Sequence, residues 1–213
     1  LFAGTFETHA GGSGHVHRYA GGSEWIDCGA PDSSNTVMSL AVHDGKLYAG
    51  TGRYKPAGSL LPDSPNRNEG GRVFRYEGDR RWVDCGRLGG EPGPYAEYIH
   101  DSVQSLQVFQ GKLYAIPAYT QGLFRYEGGT TWTDCGSPGS RILSMAAFRG
   151  DLYLLQNGNG TVVRYEGGAG WSRWTLCGEL PGVEQPYAFA VYEGRLHVST
   201  WPEARVFRRK IWA

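Results

Sequence analysis

The sequence predicts an all-β chain, a β-propeller built from four-stranded antiparallel blades. Three observations predict it. First, one stretch recurs: RYAGGSEWIDCG at 18–29, RYEGDRRWVDCG at 75–86, RYEGGTTWTDCG at 125–136 and, with a three-residue insertion, RYEGGAGWSRWTLCG at 164–178. A degraded fifth copy, VFRRKIWA, occupies 206–213. Second, strand-like runs meet between the copies across two-residue turns ending in glycine: Asp44-Gly45, Gln110-Gly111, Arg149-Gly150 and Glu193-Gly194. Third, the repeated arginines at 18, 75, 125, 164 and 208 are spaced by 57, 50, 39 and 44 residues. Four-stranded units at about 40–50 residues are the spacing of propeller blades.

The elements follow in chain order, each blade read as strands a, b, c and d. LFAGT at 1–5 matches the later KLYAGT, so the chain opens on a strand b, followed by the c–d hairpin of 18–29. In the second blade VMSLAVH alternates as strand a and KLYAGT is strand b. After a long polar loop, RVFRYEG is c and RWVDCG is d. Alternation at period two with glycine turns between the runs supports strands. No segment carries a helical period over eleven or more residues. VQSLQVF and KLYAIP, ILSMAAF and DLYLLQ, and YAFAVY and RLHVST repeat the a–b pair. The predicted single domain, 1–213, has blades at about 1–29, 37–86, 103–136, 142–178 and 187–213. The first lacks strand a and the last lacks strand d. That pattern predicts a fragment of a larger ring, or an inner strand supplied from upstream.

The c–d hairpin, YEGGTTW at 126–132 in its cleanest form, resembles the Asp-box hairpin of sialidase-type propellers, S-x-D-x-G-x-x-W. Glu127, Gly129 and Trp132 fall on the aspartate, glycine and tryptophan positions, and Arg125 falls on the serine position. The glycine pair and later tryptophan also resemble kelch repeats at a different spacing. The resemblance covers nearly the whole chain, one blade at a time, and implies a bacterial-type repeat propeller. It identifies no particular protein. Propellers serve as lectins, hydrolases, oxidases and scaffolds, so fold alone leaves function open.

Composition excludes some classes. Basic and acidic residues balance at 21 each, which argues against a nucleic-acid partner. No apolar run reaches the ~18–20 residues of a membrane span, so no membrane insertion is expected. The four cysteines occupy equivalent places in four repeats, too far apart to bridge, and are expected as free thiols. No phosphate loop, nucleotide fingerprint or nucleophile elbow appears, and no cofactor is expected. His15 and His17 share one face of strand c. Two histidines without further ligands are read as surface residues, so no metal is expected.

Residues present in every repeat are expected to hold the repeat together. Trp25, Trp82, Trp132 and Trp171 are expected to pack between blades. Asp27, Asp84 and Asp134 are expected to cap backbone amides. Function is then expected where the repeat breaks. The a–b and c–d turns are short and belong to one face; the b–c and d–a loops vary in length and belong to the other. The largest departures lie between 51 and 102. Long loops on a rigid scaffold carry binding.

The candidate ligand-binding residues are Arg53, Tyr54, Asn66, Arg67 and Asn68 in one loop, Tyr95, Glu97, Tyr98, His100 and Asp101 in the next, and Tyr119 and Trp201 in later blades. Rings beside amides and carboxylates suit stacking on a sugar and hydrogen bonds to its hydroxyls, or a protein surface. The predicted function is a non-catalytic recognition module whose partner is a glycan or a protein, with other domains of a longer chain as further partners. The competing readings are a sialidase-like glycoside hydrolase, which needs two carboxylates across the scissile bond, and a structural or sensor domain. No catalytic residue is assigned.

Overall fold

The computed structural model describes residues 1–9, 11–53, 64–89, 102–118, 121–158, 160–167 and 173–208. They form a five-bladed β-propeller of antiparallel sheets. Blade 1 contains β1 (Phe2–Gly4), β2 (Val16–Gly21) and β3 (Glu24–Asp27). Blade 2 contains β4 (Thr36–His43), β5 (Lys46–Gly52), β6 (Arg72–Gly78) and β7 (Arg81–Arg87). Blade 3 contains β8 (Val103–Phe109), β9 (Lys112–Pro117), β10 (Phe124–Gly128) and β11 (Thr131–Asp134). Blade 4 contains β12 (Ile142–Phe148), β13 (Asp151–Gln156), β14 (Thr161–Tyr165) and β15 (Trp174–Glu179). Blade 5 contains β16 (Gln185–Tyr192), β17 (Arg195–Trp201) and β18 (Val206–Arg208). Among the described residues the first and last sheets have three strands, b–c–d and a–b–c, as expected. No helix among them is long and apolar enough to cross a membrane.

Turn chemistry sets the hairpins. All four a–b turns place both residues at positive φ, 47–52° at the first residue and 66–86° at the glycine. That is the conformation whose twist matches the flanking strands. The c–d hairpins carry a bulge after the repeated tyrosine, between Tyr19 and Gly21, Tyr76 and Gly78, and Tyr126 and Gly128. In blades 1 and 3 the tyrosine hydroxyl closes its own turn, Tyr19 on the Gly22 carbonyl at 3.0 Å and Tyr126 on the Gly129 carbonyl at 2.9 Å.

The repeated stretch is an inter-blade staple. Trp82 Nε1 donates to the Cys28 carbonyl of blade 1 at 2.9 Å, and Trp132 Nε1 to the Cys85 carbonyl of blade 2 at 2.8 Å. The aspartate before each cysteine accepts from the glycine amide after it: Gly29 on Asp27, Gly86 on Asp84 and Gly136 on Asp134, at 2.7–2.8 Å. Gly86 sits at φ 92°, and a Cβ there would lie 2.3 Å from the Thr130 carbonyl oxygen in the next blade's hairpin. The glycine lets that hairpin dock. The four cysteines are free thiols, three of them buried. Arg75, Arg125 and Arg164 pair along their own strands with Glu77, Glu127 and Glu166 at 2.6–2.8 Å.

Two sequence expectations change. In blade 4 the repeat position belongs to Trp174, which pairs with Tyr165 across the hairpin at 5.1 Å and 44° but whose buried Nε1 has no hydrogen-bond partner among the described residues. The Tyr126–Trp132 pair, at 5.0 Å and 42°, has the same geometry. The insertion falls before Trp174, and Trp171 lies outside the described residues. The c–d turns also do not keep to the face opposite the loops. Arg80, in the turn of blade 2, reaches Asp27 at the end of β3 at 2.9 Å. The right-handed twist of each sheet swings its outer hairpin sideways onto the preceding blade.

Between blades the core repeats. Val16, Cys28, Leu47 and Ala49 pack with Tyr76 and Trp82; Val73, Cys85 and Leu113 pack with Tyr126 and Trp132; Leu123, Cys135 and Leu152 pack with Tyr165 and Trp174. At the two ends of the series the same positions are open. Trp25 is 44% and Tyr19 39% exposed on blade 1, whereas Tyr126 and Tyr165 are buried. Val206 of blade 5 is 69% exposed, whereas Val16, Val73 and Leu123 in the matching places are fully buried.

Candidate functional site: the loop face of blades 1 and 2

The b–c loop of blade 1, the blade 1–2 connection and the described ends of the b–c loop of blade 2 are tied into one body. The Val37 amide donates to the Thr5 carbonyl, Glu7 to Asn35 and Gly14 to Ser34, all at 2.9–3.0 Å. Asp32 accepts from the Ser34 amide and hydroxyl with Oδ1, and from the Thr51 hydroxyl at 2.7 Å with Oδ2. Asn66 completes the body. Its buried Nδ2 donates to the Gly12 carbonyl at 2.7 Å and the Ser33 carbonyl at 2.9 Å. Its Oδ1 accepts the Asn68 amide at 2.9 Å, and Asn68 Nδ2 reaches the Ser33 carbonyl at 3.0 Å. The buried Gly12 carbonyl needs such a partner, and with the Ser33 contact one asparagine holds two foreign loops to its own.

Five predicted site residues fall among the described ones. Asn66 is a structural tie whose donors are taken. Arg67 and Asn68 are exposed beside it. Arg53 follows β5, half-buried, with a buried Nε that has no hydrogen-bond partner. Trp201 is 59% exposed at the end of β17, on blade 5 rather than with the others. Tyr54, Tyr95, Glu97, Tyr98, His100, Asp101 and Tyr119 lie outside the described residues.

The structure adds a feature beside these loops. A polar cavity of ≈ 330 Å³ opens at the outer edge of blade 1, lined by Glu7, His9, His15, His17 and the Gly11–Ser13 backbone. Gly12 is needed there, because a Cβ would lie 2.8 Å from the His9 ring and 2.9 Å from Glu7 Cβ. Thr5 fixes the loop base, accepting the His15 amide at 2.9 Å and donating to Glu7 Oε1 at 3.0 Å. His15 Nδ1 lies 2.9 Å from Asp27 Oδ1, and the His15 and His17 rings stack at 6.2 Å and 23°. Burial pushes the Asp27 carboxyl up, but the hydrogen bonds from His15 and the Gly29 amide and the charges of His15 and Arg80 outweigh it. The net effect holds the group below its ordinary value.

Sequence reasoning found His15 and His17 as a pair but not their acidic partner. The signal was present: His17 and Asp27 are opposite residues in the β2–β3 hairpin. Other carboxylates near the loops already have partners: Asp32 as above, Glu69 with Arg87 at 3.2 Å and Asp84 with Arg72 at 2.6 Å.

No family model and no curated protein matches the chain. Solved structures do. Virginiamycin B lyase from Staphylococcus aureus superposes with a TM-score of 0.64 at 12% identity, over 91% of this chain and 59% of the lyase. A luciferin-regenerating enzyme gives 0.54 at 11% identity, over 88% of this chain and 63% of its own. YCF48 bound to D1 peptide gives 0.55 at 12% identity, over 89% and 55%. The chain thus spans less than two thirds of each of these proteins. At such identities the likeness shows the propeller fold. Two of these similar proteins are enzymes and one is bound to a peptide, so the shared scaffold does not choose between catalysis and recognition.

Proposed function

We propose that the protein is a non-catalytic recognition module, built on Asp-box-like repeats, that binds a glycan or a protein surface through its b–c and d–a loops. One observation supports this reading above others. The described parts of the blade 1 and blade 2 connections are cross-tied by Asn66 and Asp32 into one polar surface. Pre-ordered loops bind without the entropy cost of ordering on contact. Arg67 and Asn68 stand exposed on that surface, and Trp201 offers an exposed ring on blade 5.

A glycan array together with a peptide-display screen on the intact protein tests the proposal. Binding weakened at least tenfold by Arg67→Ala with Asn68→Ala, and unchanged by Glu193→Ala in an a–b turn, is the expected result. Absence of any ligand in both screens, or turnover of a chromogenic glycoside by the unmodified protein, overturns it.

A further inference from the structure

We propose that blade 1 carries a binding site for a divalent transition metal of the zinc class, held by His15 and His17, oriented by Asp27 and completed from the blade 1 b–c loop. Among the described residues, His15, His17 and Asp27 offer donor atoms that all lie within 4.8 Å of one another. Donors on one tetrahedral zinc, at about 2.0–2.1 Å from the ion, stand about 3.3 Å apart. The two stacked rings, 6.2 Å apart, must turn to bring one nitrogen from each to that spacing.

The hydrogen-bond pattern divides the roles. Asp27 Oδ1 already meets His15 Nδ1 and the Gly29 amide, and Oδ2 meets Arg80 at 2.9 Å. Both carboxylate oxygens are engaged, so Asp27 acts on the imidazole rather than on the ion. A carboxylate on one ring nitrogen fixes the tautomer and leaves Nε2 with its lone pair as the ligand. His15 therefore ligates through Nε2, and His17 supplies the second nitrogen. His9 and Glu7 line the same cavity, 3.5 Å apart, but stand outside the 4.8 Å group, so one of these side chains must turn inward to supply the third donor. Imidazole with one carboxylate suits zinc, nickel or copper and disfavours calcium and magnesium.

The repeat sharpens the case. Counting from the repeated arginine, the positions of His15 and His17 hold Arg72 and Phe74 in blade 2, Gly122 and Phe124 in blade 3, and Thr161 and Val163 in blade 4. Phe74, Phe124 and Val163 are all buried. Arg72 pairs with Asp84 as His15 pairs with Asp27. Blade 2 gives its aspartate a basic partner, and blades 2, 3 and 4 all place an apolar side chain two residues on. Blade 1 shares the pairing of blade 2 but makes it with a histidine, and it puts a second histidine where the others are apolar.

That comparison also supplies the variant. His15→Arg with His17→Phe installs the blade 2 pair, which the fold already accommodates, and removes both ligands. Thermal unfolding with and without 100 µM zinc chloride reads the site, since a ligand of the native state raises the midpoint. The expected result is a rise of a few degrees for the unmodified protein, none for the double variant, and an undiminished rise for Cys177→Ser, which removes the partly exposed thiol. Cobalt in place of zinc is expected to give tetrahedral d–d bands without thiolate charge transfer. No rise in the unmodified protein, a rise that persists in the double variant, or one that disappears in Cys177→Ser overturns the proposal.

Discussion

Trp25, Trp82 and Trp132 occupy one place in the repeat and two environments. Trp82 and Trp132 each satisfy a carbonyl in the preceding blade, and Trp25 stands 44% exposed. Trp132→Phe keeps an aromatic ring, though a smaller one, but strips the buried Cys85 carbonyl of its donor, and should cost about 1–3 kcal/mol in urea unfolding. Trp25→Phe should cost less than about 0.5 kcal/mol. Equal losses would mean that the indole hydrogen bond contributes nothing. Asn66→Ala leaves the Gly12 and Ser33 carbonyls without that donor. It should speed limited proteolysis of the blade 1 and blade 2 loops and lower stability by about 1–3 kcal/mol. Asn68→Ala, on an exposed amide, should change little.

At the scale of elements, hairpins are written in local chemistry and their docking is not. Gln110-Gly111 carries two positive φ values and meets no neighbour at the glycine. Asparagine adopts that conformation more readily than glutamine, so Gln110→Asn should hold or raise the unfolding midpoint. Gly86 also has a positive φ, but the Thr130 carbonyl sits against it. Gly86→Ala should cost about 3 kcal/mol or more, visible as loss of soluble protein or a lowered midpoint. Nothing in the local sequence separates these two glycines. One faces solvent and the other faces a hairpin 44 residues further along the chain.

At the scale of the whole molecule, the strand-wise Arg–Glu pairs recur around the propeller. Glu77, Glu127 and Glu166 are held below their ordinary value of 4.5 by hydrogen bonds, Glu77 from Lys46 and Arg75, Glu127 from Arg125 and Thr133, and Glu166 from Thr175 and Arg164. Carboxyls with depressed folded values stabilise the fold above their unfolded value and lose that contribution as pH falls through the folded one. Stability measured in urea should therefore be flat from pH 7 to 5 and decline below about 4.5. Glu127→Gln should shallow the decline. A decline beginning near pH 6 would point to histidines instead.

The sequence by itself determined the blade, its strand order and its two-residue a–b turns. Those depend on alternation and on glycine or asparagine-like conformations within a few residues. It also separated repeat-holding residues from repeat-breaking ones, and so drew attention to Asn66 and to the pair His15 and His17. Tertiary structure decided what each of them does. Asn66 became a tie because its acceptors lie 54 and 33 positions away in the chain. Trp174, not Trp171, stands opposite Tyr165 because strand pairing, not distance along an insertion, selects the residue there, and its Nε1 makes no staple bond among the described residues. His15 met Asp27 across a hairpin, and Arg80 arrived from the next blade through the twist of the sheets. Local rules fix backbone conformation; the convergence of side chains from separate segments depends on how the sheets pack.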